Sequence, residues 1–213
     1  MCSRFENKQT GLSIIEILER DNLGKFKLED KEELKKTNIA PTNNILTVTR
    51  NEELFILKGF KWGIQFDKEK KSPIIFNSRI ETIKEKNYWK NLFYKNRCLI
   101  PATAFYEWKE INRVKIPHRI YLQEEKFFFM PALYTKIDGE TCASIITTTP
   151  NEFMKGIHNR MPVLMNIDTG IGFLKETPAQ ALDYCIPYSE KEKMSVEYAE
   201  ELLTEKQRDV LRI

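Results

Sequence analysis

Arg97-Cys98-Leu99-Ile100-Pro101-Ala102-Thr103-Ala104-Phe105-Tyr106-Glu107-Trp108, near the middle of the chain, decides the reading of the fold. Apolar and aromatic residues fill it almost without a break, so it reads as a central strand. Shorter strands are predicted around it at Ile45–Arg50, Phe55–Ile64, Cys142–Thr148 and Met161–Met165. Arg119–Gln123 and Phe127–Leu133 read as a hairpin around a charged turn. Helical signals flank the strands. Thr10 is placed to cap a helix carrying Leu12, Ile14, Ile15, Ile17 and Leu18, and Tyr88, Trp89, Leu92 and Phe93 share one helical face. Asn151–Gly156 reads as a short helix or turn, and residues 190–207 as a charged amphipathic helix. Residues 21–37 read as a polar loop with a short surface helix, 38–43 as a turn, 66–73 as a charged loop and Ile74–Ser78 as an extended segment. The sum is α+β, with many short strands and a few peripheral helices, and with no repeat, low-complexity tract or linker in the 213 residues.

Composition sets the class. A hydrophobic content of 41% and a charged content of 31% are those of a globular chain able to bury a core. No apolar run reaches membrane-spanning length. Met-Cys-Ser-Arg-Phe-Glu-Asn-Lys lacks the apolar centre of a signal peptide, so a cytoplasmic location is expected. Cys2, Cys98, Cys142 and Cys185 are scattered, which argues against a zinc site or disulfide framework. Cys98 and Cys142 read as small core residues on strands. A net charge of +3 permits nucleic-acid binding without demanding it.

Several polar residues interrupt apolar sequence, and each has two readings. Glu107, between Tyr106 and Trp108, faces solvent by strand alternation, or is desolvated and tuned for acid–base work. His158 is a hydrogen-bonded structural residue or an acid–base group. Arg79 and Arg160 grip phosphates, or pair with local carboxylates such as Glu81. Trp62 stacks on a base or fills the core. His118, beside Pro117, has no evident role.

Met1-Cys2 carries the most distinctive chemistry. With Met1 removed, Cys2 presents a thiol and an α-amine on adjacent carbons. Such a 1,2-aminothiol forms an imine with an aldehyde, then closes a thiazolidine through sulfur. It can also act as a nucleophile with its own amine as base. Both groups titrate near neutrality, at roughly 8 for the amine and about 8.5 for the thiol.

Taken together, these segments resemble the SOS response-associated peptidase (SRAP) family, the abasic-site processing proteins. The resemblance is carried by Met1-Cys2-Ser3-Arg4-Phe5, Asn38–Thr42, Lys61-Trp62-Gly63-Ile64, Asn77-Ser78-Arg79-Ile80-Glu81-Thr82, Arg97–Trp108, Ile145–Thr148 and Ile157–Val163, in family order. Ser3 and Ala104 stand where the family has Gly. Gln65–Lys70 replaces a loop that in the family contains Pro and Trp, leaving Phe66 as its aromatic residue.

The resemblance implies one SRAP-like domain over residues 1–213, with a mixed, barrel-like sheet. It implies a DNA-damage protein that senses abasic sites in single-stranded DNA and crosslinks to them through Cys2. Cys2, Asn77, Glu107 and His158 would be catalytic: Asn77 holding the N-terminus and sugar, Glu107 shuttling protons, His158 acting on the sugar ring oxygen. Arg79 and Arg160 would bind phosphates, and Arg4 and Trp62 would line the DNA channel. Met1 would leave by self-processing or by a host aminopeptidase. A monomer is expected, nucleoid-associated when bound to DNA, with no membrane, metal or cofactor. Two other readings remain open: a cysteine peptidase or N-terminal-nucleophile amidohydrolase using Cys2, His158 and Glu107, and a non-catalytic single-strand binder.

Overall fold

The computed structural model describes residues 2–29, 34, 36–67 and 72–211. Five strands close a ring: β3 (Asn44–Asn51), β4 (Leu54–Trp62), β6 (Arg97–Ala102), β9 (Phe128–Ile137) and β10 (Glu140–Thr148), with β10 joined to β9 on one side and to β4 on the other. All junctions are antiparallel except β4–β10. β2 (Lys25–Leu28) pairs with β4, while β5 (Asn77–Arg79) and β11 (Met161–Pro162) pair with β10. A second, four-stranded antiparallel sheet runs in the order β1 (Arg4–Glu6), β7 (Ala104–Ile111), β8 (Val114–Leu122), β12 (Met194–Tyr198). The helices are α1 (Gly11–Arg20), α2 (Ile80–Glu85), α3 (Asn87–Lys95), α4 (Glu152–Lys155), α5 (Ile167–Lys175), α6 (Pro178–Asp183) and α7 (Glu205–Leu211).

Side-chain alternation explains why β6 and the first part of β9 read as continuous apolar runs. Along β6, Cys98, Ile100 and Ala102 join one buried cluster and Leu99 the other. Along the segment leading through β9, Phe128, Met130 and Ala132 join the first, and Phe127, Phe129 and Leu133 the second. The first cluster includes Phe5, Phe105 and Ile120 of the four-stranded sheet. The second takes in Ile14 and Leu18 of α1, Phe93 of α3 and Phe173 of α5. Both faces of these strands are therefore dry, and no polar alternation is left to see.

The α+β reading with a barrel-like sheet holds, as do the Thr10-capped first helix and the helix at Tyr88–Phe93. Cys98 and Cys142 are buried on strands and in no disulfide among the described residues. Five local expectations are corrected. Residues 97–108 are two strands, not one: the chain bends at Thr103, whose backbone N–H donates to Glu6 O at 2.8 Å, and passes from the ring to the second sheet. The expected hairpin at 119–133 does not form, because β8 pairs with β7 and β12 while β9 pairs with β6 and β10. The helix expected over 190–207 is instead β12 between two 3₁₀ turns, drawn into extended form by its ladder with β8, and only 205–207 are helical, as the start of α7. Lys25–Leu28, expected as loop or helix, is an edge strand; the rest of that expectation, at 30–33 and 35, lies outside the described residues, as does the charged loop over 68–71. Met161–Met165 is shortened to β11 plus a bridge from Met165 to Phe129.

Candidate active site

The two sheets meet where the chain begins. β1 pairs with β7 in the register Arg4↔Tyr106 and Phe5↔Phe105, and continuing that register brings Ser3 level with Glu107. Cys2 is fully buried, with its thiol directed to Arg4 O at 3.5 Å. From the other sheet, β5 lies parallel to β10 with Asn77 opposite Ile145. This places Asn77 Nδ2 2.8 Å from the carbonyl oxygen of Cys2, to which it donates. Asn77 Oδ1 is buried with no hydrogen-bond partner among the described residues.

Glu107 is 2% exposed, so alternation turns it inward, and burial pushes its carboxyl up to about 7. His158 follows α4, whose Asn151 cap accepts from the Met154 N–H at 2.9 Å. The backbone N–H of Arg160 donates to His158 Nδ1 at 3.0 Å. Nδ1 also lies 3.2 Å from the Arg160 carbonyl oxygen, and Nε2 lies 4.0 Å from Glu107 Oε2. Burial holds His158 below its ordinary value, which favours the neutral ring at pH 7. Burial, and then the nearby Glu107 charge, push the Cys2 thiol well above the ordinary thiol range. A groove of about 380 Å³ opens over Glu107 and His158, lined by these two with Ser3, Trp108 and Lys115. The arrangement offers a half-ionised carboxyl, a neutral imidazole and a protonated thiol around one backbone start. Those groups suit proton transfer during carbonyl chemistry.

The sequence model of the SOS response associated peptidase (SRAP) family matches residues 1–202. The chain belongs to this family. It is 37% identical over 175 residues to the abasic site processing protein YoqW of Bacillus subtilis, covering 78% of this chain and 76% of that protein. It is 26% identical over 197 residues to the abasic site processing protein YedK of Escherichia coli, covering 88% of each. A crystal structure of a Bacteroides thetaiotaomicron protein superposes with a TM-score of 0.74 over 92% of this chain and 91% of that one, at 23% identity, which is a likeness of fold.

Within this SRAP chain, Cys2, Asn77, Glu107 and His158 come together. The arginines divide. The Arg79 side chain is exposed, and its cation lies near enough to Glu81 to help hold that carboxyl below its ordinary value. Arg160 is committed: it grips Glu81 through Nη1 at 2.7 Å and Nη2 at 2.9 Å, and Nη2 also donates to Thr147 O at 2.9 Å. This is the carboxylate-paired alternative for Arg160, and it ties the His158 segment to β10. Arg4 is half-buried, donating to Asn38 Oδ1 at 3.1 Å and Ser3 O at 2.7 Å. Trp62 is placed as core, not along a channel. It is 0% exposed, its Nε1 donates to Phe76 O at 2.9 Å, and Phe5 packs edge-on at 5.1 Å. Trp108 and Lys115 line the groove but were not among the expected site residues. Trp108 stood inside a motif, whereas nothing local distinguishes Lys115 from the other lysines. Among the described residues no group of three His, Cys, Asp or Glu could hold a metal ion, and no helix is long and apolar enough to cross a membrane.

Proposed function

We propose that this protein recognises abasic sites in single-stranded DNA and joins covalently to them through Cys2, once Met1 has been removed. The observation that carries this is the hold of Asn77 on the Cys2 carbonyl, with a second, unsatisfied Asn77 oxygen beside it. That bond fixes the one backbone position where a terminal amine and a thiol share adjacent carbons. The names of YoqW and YedK point to the same lesion.

The chemistry follows from the protonation states. Opening of the abasic sugar exposes an aldehyde at C1′. In this scheme His158 carries a proton on Nε2, on the Glu107 side, and is the acid for the ring oxygen. The thiol is protonated, so the α-amine attacks first and forms a carbinolamine, which loses water to give the imine. Sulfur then adds to the imine carbon, and the thiol proton passes to nitrogen by way of Glu107. A carboxyl that titrates at about 7 both accepts and donates at neutral pH. Arg79 is exposed to meet a backbone phosphate. In this scheme Arg160 positions the His158 segment through Glu81 and Thr147.

Turnover as a cysteine peptidase calls for a thiolate, and burial drives the Cys2 thiol the other way. Met1 lies outside the described residues, and its removal belongs to the proposal. The test is a denaturing gel of protein mixed with a single-stranded oligonucleotide bearing one abasic site, beside an unmodified strand. A heat-stable conjugate with the abasic strand alone, lost in Cys2→Ala and when residues are added ahead of Cys2, is expected. Its absence from protein whose mass shows Met1 removed sinks the proposal.

A further inference from the structure

The four-stranded sheet ends in an open edge. β12 is its last strand, and among the described residues it pairs with β8 alone. The bonds at the two ends of that ladder fix its phase: Gln123 N–H donates to Lys193 O at 2.8 Å, and Ala199 N–H to Pro117 O at 3.0 Å. The odd-numbered residues from 193 to 199 therefore turn their backbone groups toward β8, and Val196 and Tyr198 turn theirs outward. Those outward N–H and C=O groups have no partner among the described residues. The side chains of Val196 and Tyr198 share one face and are 42% and 43% exposed. An open edge strand with apolar side chains is a template for another strand.

The edge is also acidic, on a chain whose net charge is +3. An open groove of about 720 Å³ lies along it, lined by His118, Val196, Glu197, Tyr198, Glu200 and Glu201. Among the described residues no lysine or arginine lines this groove. Glu197 is paired with Arg119 at 2.9 Å, and Glu201 is hydrogen-bonded to Tyr106 Oη at 2.9 Å. Arg208 donates to the Glu200 carbonyl oxygen at 2.8 Å, not to its carboxylate, which is exposed. His118 is 8% exposed, and its Nδ1 donates to Ile116 O at 2.9 Å. Burial holds His118 below its ordinary value, so Nε2 of the neutral ring is an acceptor, and it has no partner among the described residues. The groove thus gathers acceptors that call for cationic donors.

We propose that β12 is a docking edge for an extended, lysine-bearing segment of a partner protein. The segment adds as a fifth strand and sets its ammonium groups among Glu197, Glu200 and His118. Backbone groups supply the ladder, and alternate side chains supply the choice of partner. An acidic edge repels phosphates, so the occupant is a protein segment and not nucleic acid. Met194–Tyr198 itself contains no lysine or arginine, so the same strand from a second copy does not answer the charge. His118 is the cross-strand neighbour of Tyr198 on one side and of Glu107 on the other. A docked segment therefore joins the sheet that carries Glu107, with β12 two strand spacings, about 10 Å, from β7.

The test uses a fluorescein-labelled peptide alternating lysine and valine, beside a glutamate–valine counterpart, with anisotropy as the readout and no DNA present. The lysine peptide binds native protein, more weakly as salt rises, and slows hydrogen exchange at the Val196 and Tyr198 amides. The glutamate peptide does not bind. Val196→Pro removes one outward N–H and spares the ladder with β8, and it weakens binding at least about fivefold, the scale of one hydrogen bond. Should that variant fail to fold, Glu200→Lys decides: it weakens binding at least about threefold with no change in melting temperature. Equal binding of the two peptides, no binding of the lysine peptide, or full affinity in folded Val196→Pro or in Glu200→Lys overturns the proposal. So does native protein that sediments as a dimer which Val196→Pro converts to monomer, since the edge is then taken by a second copy.

Discussion

Glu107→Gln exchanges a buried carboxyl for an amide of nearly the same shape, and its effect on stability has a definite sign. The folded chain holds the Glu107 proton up to about pH 7, whereas the ordinary glutamate value is 4.5. Between those two values the unfolded chain releases its proton first and gains by doing so. The native protein therefore loses stability as pH rises from 4.5 through 7. At ~1.4 kcal/mol per pH unit the full loss approaches about 3 kcal/mol. Glutamine does not titrate, so the variant is free of that term. Urea denaturation of both proteins at acid and alkaline pH isolates it, because every other titrating group cancels in the difference between them. Relative to native protein, the variant gains about 2–3 kcal/mol on passing from below pH 4.5 to above pH 7. Its conjugation rate with abasic DNA falls by about a hundredfold or more, the usual scale for a lost acid–base group. A native-minus-variant difference that stays constant with pH refutes the buried, neutral-range carboxyl and the proton shuttle built on it.

Asn77→Ala removes the 2.8 Å bond to the Cys2 carbonyl. It costs about 1 kcal/mol in thermal denaturation and slows conjugation at least tenfold, because the amine is no longer held at the groove. Arg119→Met leaves the Glu6 carboxylate buried without its guanidinium partner, whose Nη2 and Nε donate to Oε1 at 2.6 and 3.1 Å. A loss of about 3–5 kcal/mol in urea titration is expected. Arg79→Ala weakens single-strand binding and flattens its salt dependence with no change in melting temperature, whereas Arg160→Ala, which strands Glu81, lowers that temperature. Gly63→Ala places a Cβ against Ile74 at a φ of +116°, and a loss of at least about 1 kcal/mol follows.

Much of this molecule was legible where the signal is local. The Thr10 cap and the apolar face behind it needed only a window of residues, and so did the apolar ring strands. The failures share a cause, which is that a distant partner decided the outcome. Nothing near Thr103 announces the bend, because its hydrogen bond goes to Glu6. Residues 194–198 sit in Glu/Lys-rich sequence that reads as helix, yet the ladder with β8 outweighs propensity. At the site, Cys2, Asn77, Glu107 and His158 were visible because each sits in a motif with its own chemistry. The fate of Trp62 and Arg160 was not, since a Trp in an apolar strand and an Arg near a Glu have two ordinary outcomes, and only packing chooses. Lys115 reaches the groove through its place on β8, which no short-range pattern encodes.

The most direct test of the central claim is the mass of the conjugate itself. Protein and abasic oligonucleotide are mixed, digested and weighed, with Cys2→Ser treated in parallel with and without borohydride. The account predicts a chain lacking Met1, joined at residue 2, equal in mass to protein plus opened DNA less one water, and with the Cys2 thiol no longer open to alkylation. It predicts that Cys2→Ser yields a lasting adduct only when borohydride traps the imine. Attachment at a lysine such as Lys115, or a conjugate in which the Cys2 thiol still alkylates, contradicts it.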